Sequence, residues 1–271
     1  MLRSPIPALL MLAACKSAAA LDTTGDVSEQ TFHSELMSDD YILRVRLPPG
    51  VDMEGSYPLL IQLDPTFAGL HQFATTGGLV SEHEADGDWP DSVIVGIDYA
   101  DPSTRERDYR TPDPVDPTFQ SDHADLFYRV LTEEILPHLD DTLPVDPTRR
   151  LMLGHSNGGV FGWYTIFRHD PSVTPPFAGV IAADAGLEEA LFTYERLHAE
   201  RADSLPTVIY ATHALYNGAT QKITIDALEE RLRGRGFPDL NLTIEGLDTD
   251  HGGAVVPSYE HGLDTLFSEI P

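Results

Sequence analysis

Cysteine is almost absent from this chain: Cys15 is the only one among 271 residues, so no disulfide can form within the molecule. Lysine is nearly as rare, limited to Lys16 and Lys222, and all basic residues number 17 against 44 acidic ones, for a formal charge of −27. A duplex binder must set Lys and Arg against phosphates, so this deficit excludes nucleic acid as a partner and disfavours anionic membrane surfaces on the same ground. Repeated apolar runs of the ~20 residues that span a bilayer are missing as well, which removes polytopic membrane proteins. What remains is 41% apolar with a mean hydropathy of −0.18, the composition of a water-soluble globule with enough core formers to fold. The Arg-biased acidic surface fits a salt-adapted or GC-rich source and fits plain solubility equally well; neither reading names a function.

Residues 1–20, MLRSPIPALLMLAACKSAAA, carry one early cation at Arg3, a short apolar stretch over 6–14, and then small residues. That stretch is about half of the ~20 residues a spanning helix needs, so it reads as an export signal. Leu12-Ala13-Ala14-Cys15 resembles the lipobox of bacterial lipoproteins, in which the cysteine is acylated and becomes the first mature residue. The expected organisation is a signal peptide over 1–14, a lipidated Cys15, a tether over 15–27 and a folded domain over 28–271. Such a protein is exported to the cell envelope and held on a membrane by its lipid, with the domain in the periplasm or at the cell surface. A signal peptide cut nearer Ala20 is the plainer alternative.

From about Val27 onward, strand patterns alternate with helical ones. The segment 41–47 (YILRVRL) alternates apolar and polar residues with the period of a half-exposed strand. Five short apolar runs, 58–63, 93–98, 151–154, 178–183 and 207–212, suit parallel strands covered on both faces. Helices are expected over 122–139, 158–168, 187–202, 220–235 and 258–267. In the first of these, Leu126, Val130, Leu131, Ile135 and Leu139 form one apolar stripe. Repeated βα units imply an α/β domain with a mainly parallel sheet between helices. The tract 101–121 is too rich in proline for helix or strand, and a structureless loop of that length is usually functional or disordered.

The strongest chemical signal is Gly154-His155-Ser156-Asn157-Gly158-Gly159, a GxSxG match with the strand LMLG before it and the helical VFGWYTIFR after it. That context is what a nucleophile elbow requires: a serine on a strained strand-to-helix turn, with glycines leaving room around it. The amide of Asn157, at a helix N-terminus, then points where an oxyanion would form. A serine hydroxyl needs a base, and in this type of fold the histidine follows the serine in the chain. His198 and His261 sit in amphipathic helices and read as surface or boundary residues, and His169 precedes Asp170-Pro171 at a helix end. His251 follows the strand-like NLTIEG (241–246) in the loop LDTDHGG and is the expected base, with His213 as its main competitor.

With Ser156 and His251 placed, the chain resembles the putative-esterase family of α/β-hydrolases, which includes esterase D, enterochelin and feruloyl esterases and mycolyltransferases. Arg107-Asp108-Tyr109 followed by Thr111-Pro112 is similar to that family's R-D-Y/L-T-P segment. Leu63-Asp64 ends an early strand as in the family, and Glu133-Glu134-Ile135-Leu136-Pro137 is similar to its E-x-I/L-P signature. The resemblance implies an α/β-hydrolase fold and cleavage or transfer of a carboxylic acyl group through an acyl-enzyme. It implies a small-molecule ester substrate and neither metal nor organic cofactor. Two departures matter. Leu63-Asp64-Pro65 stands where the family often has Leu-Asp-Gly, and proline has no N–H to give, so Thr66 N–H is the expected second oxyanion donor. Family members usually carry a carboxylate after the strand corresponding to 207–212, yet HALYNGATQK, which follows here, has none. Asp184 is the chosen third member, with Asn217, Asp248 or no carboxylate at all as alternatives and Asp250 too near to bridge. Acyl transfer to an envelope acceptor, or a binding lipoprotein that keeps the fold without catalysis, are the other functional readings.

Remaining constellations weigh less. His123 between Asp122 and Asp125, and His251 after Asp248 and Asp250, lack the spacing of a metal site and read as coincidence in an acidic chain. Arg105, Arg107 and Arg110 form a basic cluster in the proline-rich tract: either they draw an anionic substrate, or Arg107 pairs with a carboxylate and braces the loop. Phe161 and Trp163 read as core. Trp89 and Tyr99 are candidates for lining a pocket.

Overall fold

Each short apolar run becomes a strand whose residues are almost all buried, because helices cover both faces of the sheet. The computed structural model describes residues 27–66, 72–112 and 124–270, so the export signal, Cys15, nearly all of the tether and His123 lie outside the described residues. The strands are β1 (Val27–Ser34), β2 (Asp39–Arg46), β3 (Tyr57–Leu63), β4 (Val93–Tyr99), β5 (Val145–His155), β6 (Gly179–Ala183), β7 (Val208–Ala214) and β8 (Leu242–Leu247). They form one sheet in the order β1-β2-β4-β3-β5-β6-β7-β8. Among the described strands β2 pairs antiparallel with both β1 and β4, and every pairing from β4 to β8 is parallel. This is the mainly parallel α/β-hydrolase architecture that the sequence implies.

The helices are α1 (Gln72–Asp86), α2 (Arg105–Tyr109), α3 (Ala124–Arg129), α4 (Leu136–Thr142), α5 (Asn157–Arg168), α6 (Glu189–Ala199), α7 (Ala219–Arg235) and α8 (Val255–Glu269). Strand residues alternate between two cores. Leu59, Ile61 and Leu63 meet the layer containing α5, α6 and α7, whereas Leu60 meets α1 and α8 through Phe73, Val80, Tyr259 and Leu263.

Two local expectations need correction. The helix expected over 122–139 is a helical run broken by a π-helical segment, Val130–Ile135, between α3 and α4. Pro137, in the first turn of α4, has no N–H to return to the preceding turn, and a widened turn accommodates that. The tract 101–121 is not wholly irregular either. Its proline-free stretch Arg105–Tyr109 forms α2 and buries Arg105, Asp108 and Tyr109.

Candidate active site

Three neighbouring strands, β3, β5 and β6, end at their carboxyl edge in a non-glycine residue with positive φ: Asp64 (57°), Ser156 (58°) and Asp184 (43°). Ser38 is the only other such residue among the described ones. Each costs on the order of 1–3 kcal/mol, and strain of this kind persists where a site over-determines the backbone. At Ser156 the cause is visible. The chain must turn from β5 straight into α5, with φ 58° and ψ −123°, and the turn is so tight that a Cβ on Gly154 would stand 2.2 Å from the Gly158 carbonyl oxygen. The Ser156 N–H donates to Ala183 O at 2.9 Å, which locks the elbow to the end of β6. As the first residue of α5, Asn157 has an N–H with no intrahelical acceptor, at the positive end of the helix dipole.

One residue beyond Ala183, the carboxylate of Asp184 is fully buried and surrounded by donors. Its Oδ1 accepts the Ala214 N–H at 2.8 Å, and its Oδ2 accepts Asn217 Nδ2–H at 2.6 Å and His251 Nδ1–H at 2.5 Å. Burial alone would raise this carboxyl, but His251, the Ala214 amide and Asn217 together hold it below the usual carboxylate value. With Nδ1 carrying the proton, the second ring nitrogen of His251 has a free lone pair. The histidine comes from the turn after β8 and is about two-fifths exposed. Asp248 and Asp250 face elsewhere: Asp248 accepts from Tyr216 O–H at 2.5 Å, and Asp250 caps the turn through the Gly253 N–H at 2.8 Å.

A residue that the sequence reading passed over joins the serine turn to the His251 loop. His155 Nε2–H donates to the His251 carbonyl at 2.9 Å, and the two imidazoles lie 4.3 Å apart between centroids. Burial, and then the nearby His251, lower His155 to a pKa of about 4, so it stays neutral at ordinary pH. The signal lay in the x of GxSxG, where a histidine next to the serine can reach the loop that carries His251. Through His155 and Asp184, Ser156 and His251 are brought to one rim of the sheet; among the described residues Ser156 Oγ makes no hydrogen bond.

On the other side of Ser156, Asp64 is almost completely buried. It receives Arg105 through two bonds, Nε–H to Oδ1 at 2.8 Å and Nη2–H to Oδ2 at 2.6 Å, and the Tyr99 O–H also donates to Oδ1. Burial pushes the Asp64 carboxyl up, opposed by Arg105 and Tyr99. Asp64 sits against the elbow helix: a Cβ on Gly158 would come within 3.2 Å of its Oδ2. Pro65 O accepts the Phe73 N–H and Thr66 Oγ1–H donates to Asp98, so the two residues after Asp64 are both held. The Thr66 N–H meets no acceptor among the described residues.

The basic cluster is neutralised: Arg105 pairs with Asp64, Arg107 with Asp108 and Asp39, and Arg110 with Glu188. Arg107 thus braces α2 against β2. His198 is buried and not a surface residue, whereas His261 is exposed beside Glu245. His213 is buried at the end of β7 under Gly246. Phe161 and Trp163 are fully buried core. Trp89 precedes β4, at the opposite edge of the sheet, where it stacks on His83 and donates to Asp264, so it lines no pocket at this site. Tyr99 supports the site from below through Asp64. Among the described residues, no group of three or more His, Cys, Asp or Glu could hold a metal ion.

The family model described as "Putative esterase" matches residues 34–173, just over half of the chain and inclusive of the elbow. No curated protein matches. Among solved structures, the BES protein from Bacillus cereus is similar with a TM-score of 0.75 and 19% identity, over 90% of this chain and 97% of that one. An IroE-like serine hydrolase from Shewanella oneidensis also aligns with a TM-score of 0.75 and 19% identity, over 90% of this chain and 81% of that one. Siderophore hydrolase EstA from Aspergillus nidulans aligns at 0.74 and 20% identity, over 100% of this chain and 99% of that one. At such identities the likeness is one of fold.

Proposed function

Because the chain belongs to the putative-esterase family, and so to the carboxylic ester hydrolases, we propose that it cleaves its ester through an acyl-enzyme on Ser156, with His251 as general base and Asp184 as the acid that orients it. Ser156 Oγ attacks the ester carbonyl carbon while its proton passes to the imidazole nitrogen of His251 that faces away from Asp184. The tetrahedral oxyanion is held by the N–H groups of Asn157 and Thr66. Collapse breaks the carbon–oxygen bond, and the leaving alkoxide takes the proton back from His251. Water, deprotonated in turn by His251, then adds to the acyl carbonyl, and the carboxylic acid leaves with Ser156 restored. Asp184 remains ionised and keeps the proton on Nδ1 throughout.

The observation that carries the reading is the 2.5 Å bond from His251 to Asp184, one residue past the strand end to which the strained Ser156 is hydrogen-bonded. A short-chain nitrophenyl ester tests it. Ser156→Ala is expected to abolish turnover and labelling by a fluorophosphonate, and a variant with wild-type turnover would overturn the mechanism. We also propose that the domain over 28–271 is exported and anchored by lipid at Cys15, which the lipobox-like Leu12-Ala13-Ala14-Cys15 supports.

A further inference from the structure

Asp184 and Asn217 approach the same ring nitrogen of His251: Asp184 Oδ2 is 2.5 Å from Nδ1 and Asn217 Nδ2 is 3.0 Å from it. The two side chains also touch each other, since Asn217 Nδ2 lies 2.6 Å from Asp184 Oδ2. Three polar atoms therefore form a closed triangle with one acceptor in it. A carboxylate oxygen can only accept, so it fixes the amide with its NH₂ side inward, and both N–H groups converge on Asp184 Oδ2. The short contact between Asn217 and His251 is then the meeting of two donors on one oxygen.

The backbone explains why Asn217 reaches this point. Residues 214–217 form a tight turn closed by the Asn217 N–H donating to Ala214 O at 3.3 Å, and Gly218, with φ 88°, leads the chain away into α7. The first residue of that turn gives its N–H to Asp184 Oδ1, and the last gives its side-chain amide to Oδ2. One turn after β7 thus grips both oxygens of a carboxylate that belongs to β6. Flanking Leu215 and Tyr216 are exposed, while Asn217 is folded inward.

From this arrangement we infer that Asn217 is a positioning residue for the acid–base pair, and that the positions 184 and 217 are two interchangeable stations for the one negative charge that His251 needs. The inference rests on the Ser156–His251 reading above. The exchange is chemically symmetric. With the amide moved to position 184 and the carboxylate to position 217, the amide oxygen still accepts from Ala214 N–H and the amide NH₂ donates to the relocated carboxylate. That carboxylate stands where it can accept from His251 Nδ1–H. Position 184 tolerates the change because Asn enters positive φ as readily as Asp does, so the exchange adds no backbone strain to what is already there.

The test measures kcat and KM on a nitrophenyl ester for Asp184→Asn, Asn217→Ala and the double exchange Asp184→Asn with Asn217→Asp, each checked for a cooperative melt. Asp184→Asn is expected to lose on the order of 10⁴ in kcat, the usual cost of removing the orienting carboxylate. Asn217→Ala should lose about tenfold or more in kcat with KM little changed, since a hydrogen bond to a charged group is removed from the acid and none from the substrate. The double exchange should recover about a hundredfold over Asp184→Asn alone. A folded double variant no faster than Asp184→Asn would overturn the two-station inference, as would wild-type kcat in Asn217→Ala. Neither result would touch the hydrolytic mechanism, which fails separately if Ser156→Ala stays active.

Discussion

Replacing Arg105 with Met leaves Asp64 as a buried charge with one remaining side-chain donor among the described residues, Tyr99, and makes the sharpest test of how the rim beside the elbow is held. Both partners are nearly inaccessible, at 5% and 1% exposure, and the contact is two-pronged. Breaking a buried pair from one side costs about 3–5 kcal/mol, because the desolvated charge is stranded. For a domain of this size that is a fall of roughly 6–20 °C in Tm, at about 2–4 °C per kcal/mol. The penalty should depend on pH in a defined direction. Burial already raises the Asp64 carboxyl, and without Arg105 its folded-state value rises further above the ~3.9 of an unfolded Asp. Between those two values the folded variant holds a proton that the unfolded chain lacks, so its stability falls as pH rises. The difference from wild type is therefore smallest near pH 4 and complete once pH exceeds the raised folded value. Thermal and urea melts of both proteins at matched pH from 4 to 8 measure that difference, with the background titration of the other acids cancelling. Adding Asp64→Asn, which keeps a residue suited to φ 57°, removes the charge and should restore at least half of the loss. A variant as stable as wild type at pH 8, or a penalty that does not change with pH, would refute the claim that the pair is a desolvated ion pair.

His155 and Cys15 yield two further predictions. His155→Phe keeps an aromatic ring against His251 but removes the donor to its carbonyl, so kcat should fall about tenfold, the worth of one hydrogen bond, with KM held. His155→Gln, whose amide nitrogen can reach the same carbonyl, should recover most of it; equal rates for both variants would show that the bond does not position the base. Cys15→Ser should move the protein from the membrane fraction, or the detergent-rich phase, into the aqueous one, and a variant that stays with membranes would contradict the lipid anchor.

How much could be read from the chain follows from what local sequence encodes. Strands buried on both faces must be apolar throughout, so β3, β4, β6 and β7 stand out as runs. An edge strand obeys no such rule: β1, VSEQTFHS, is mostly exposed, and nothing in its composition separates it from a tether. Helix α1 was equally hidden, because its inward face of Gln72, Phe73, Thr76, Gly77 and Val80 is more than half made of small or polar residues. The serine turn was legible since crowding demands glycine at 154, and a missing side chain is visible in sequence. The proximity of Asp184 and His251 was not, because it depends on where two strand ends and a turn finish in space, and four readings of the third group were open.

Asp64, Ser156 and Asp184 share a property that no composition or periodicity reveals: each is a residue with a Cβ forced into positive φ at the carboxyl edge of neighbouring strands. The surrounding bonds explain how each is kept there: Asp64 by Arg105 and Tyr99, Ser156 by Ala183 and the helix that follows it, Asp184 by Ala214 and Asn217. Strain of about 1–3 kcal/mol at three adjacent positions is a large fraction of the ~5–15 kcal/mol by which a domain is stable. A scaffold selected for stability alone would place glycine there. That these positions instead hold one hydroxyl and two carboxylates, with an imidazole bonded to one of them, is the physical reason to locate chemistry at this edge of the sheet.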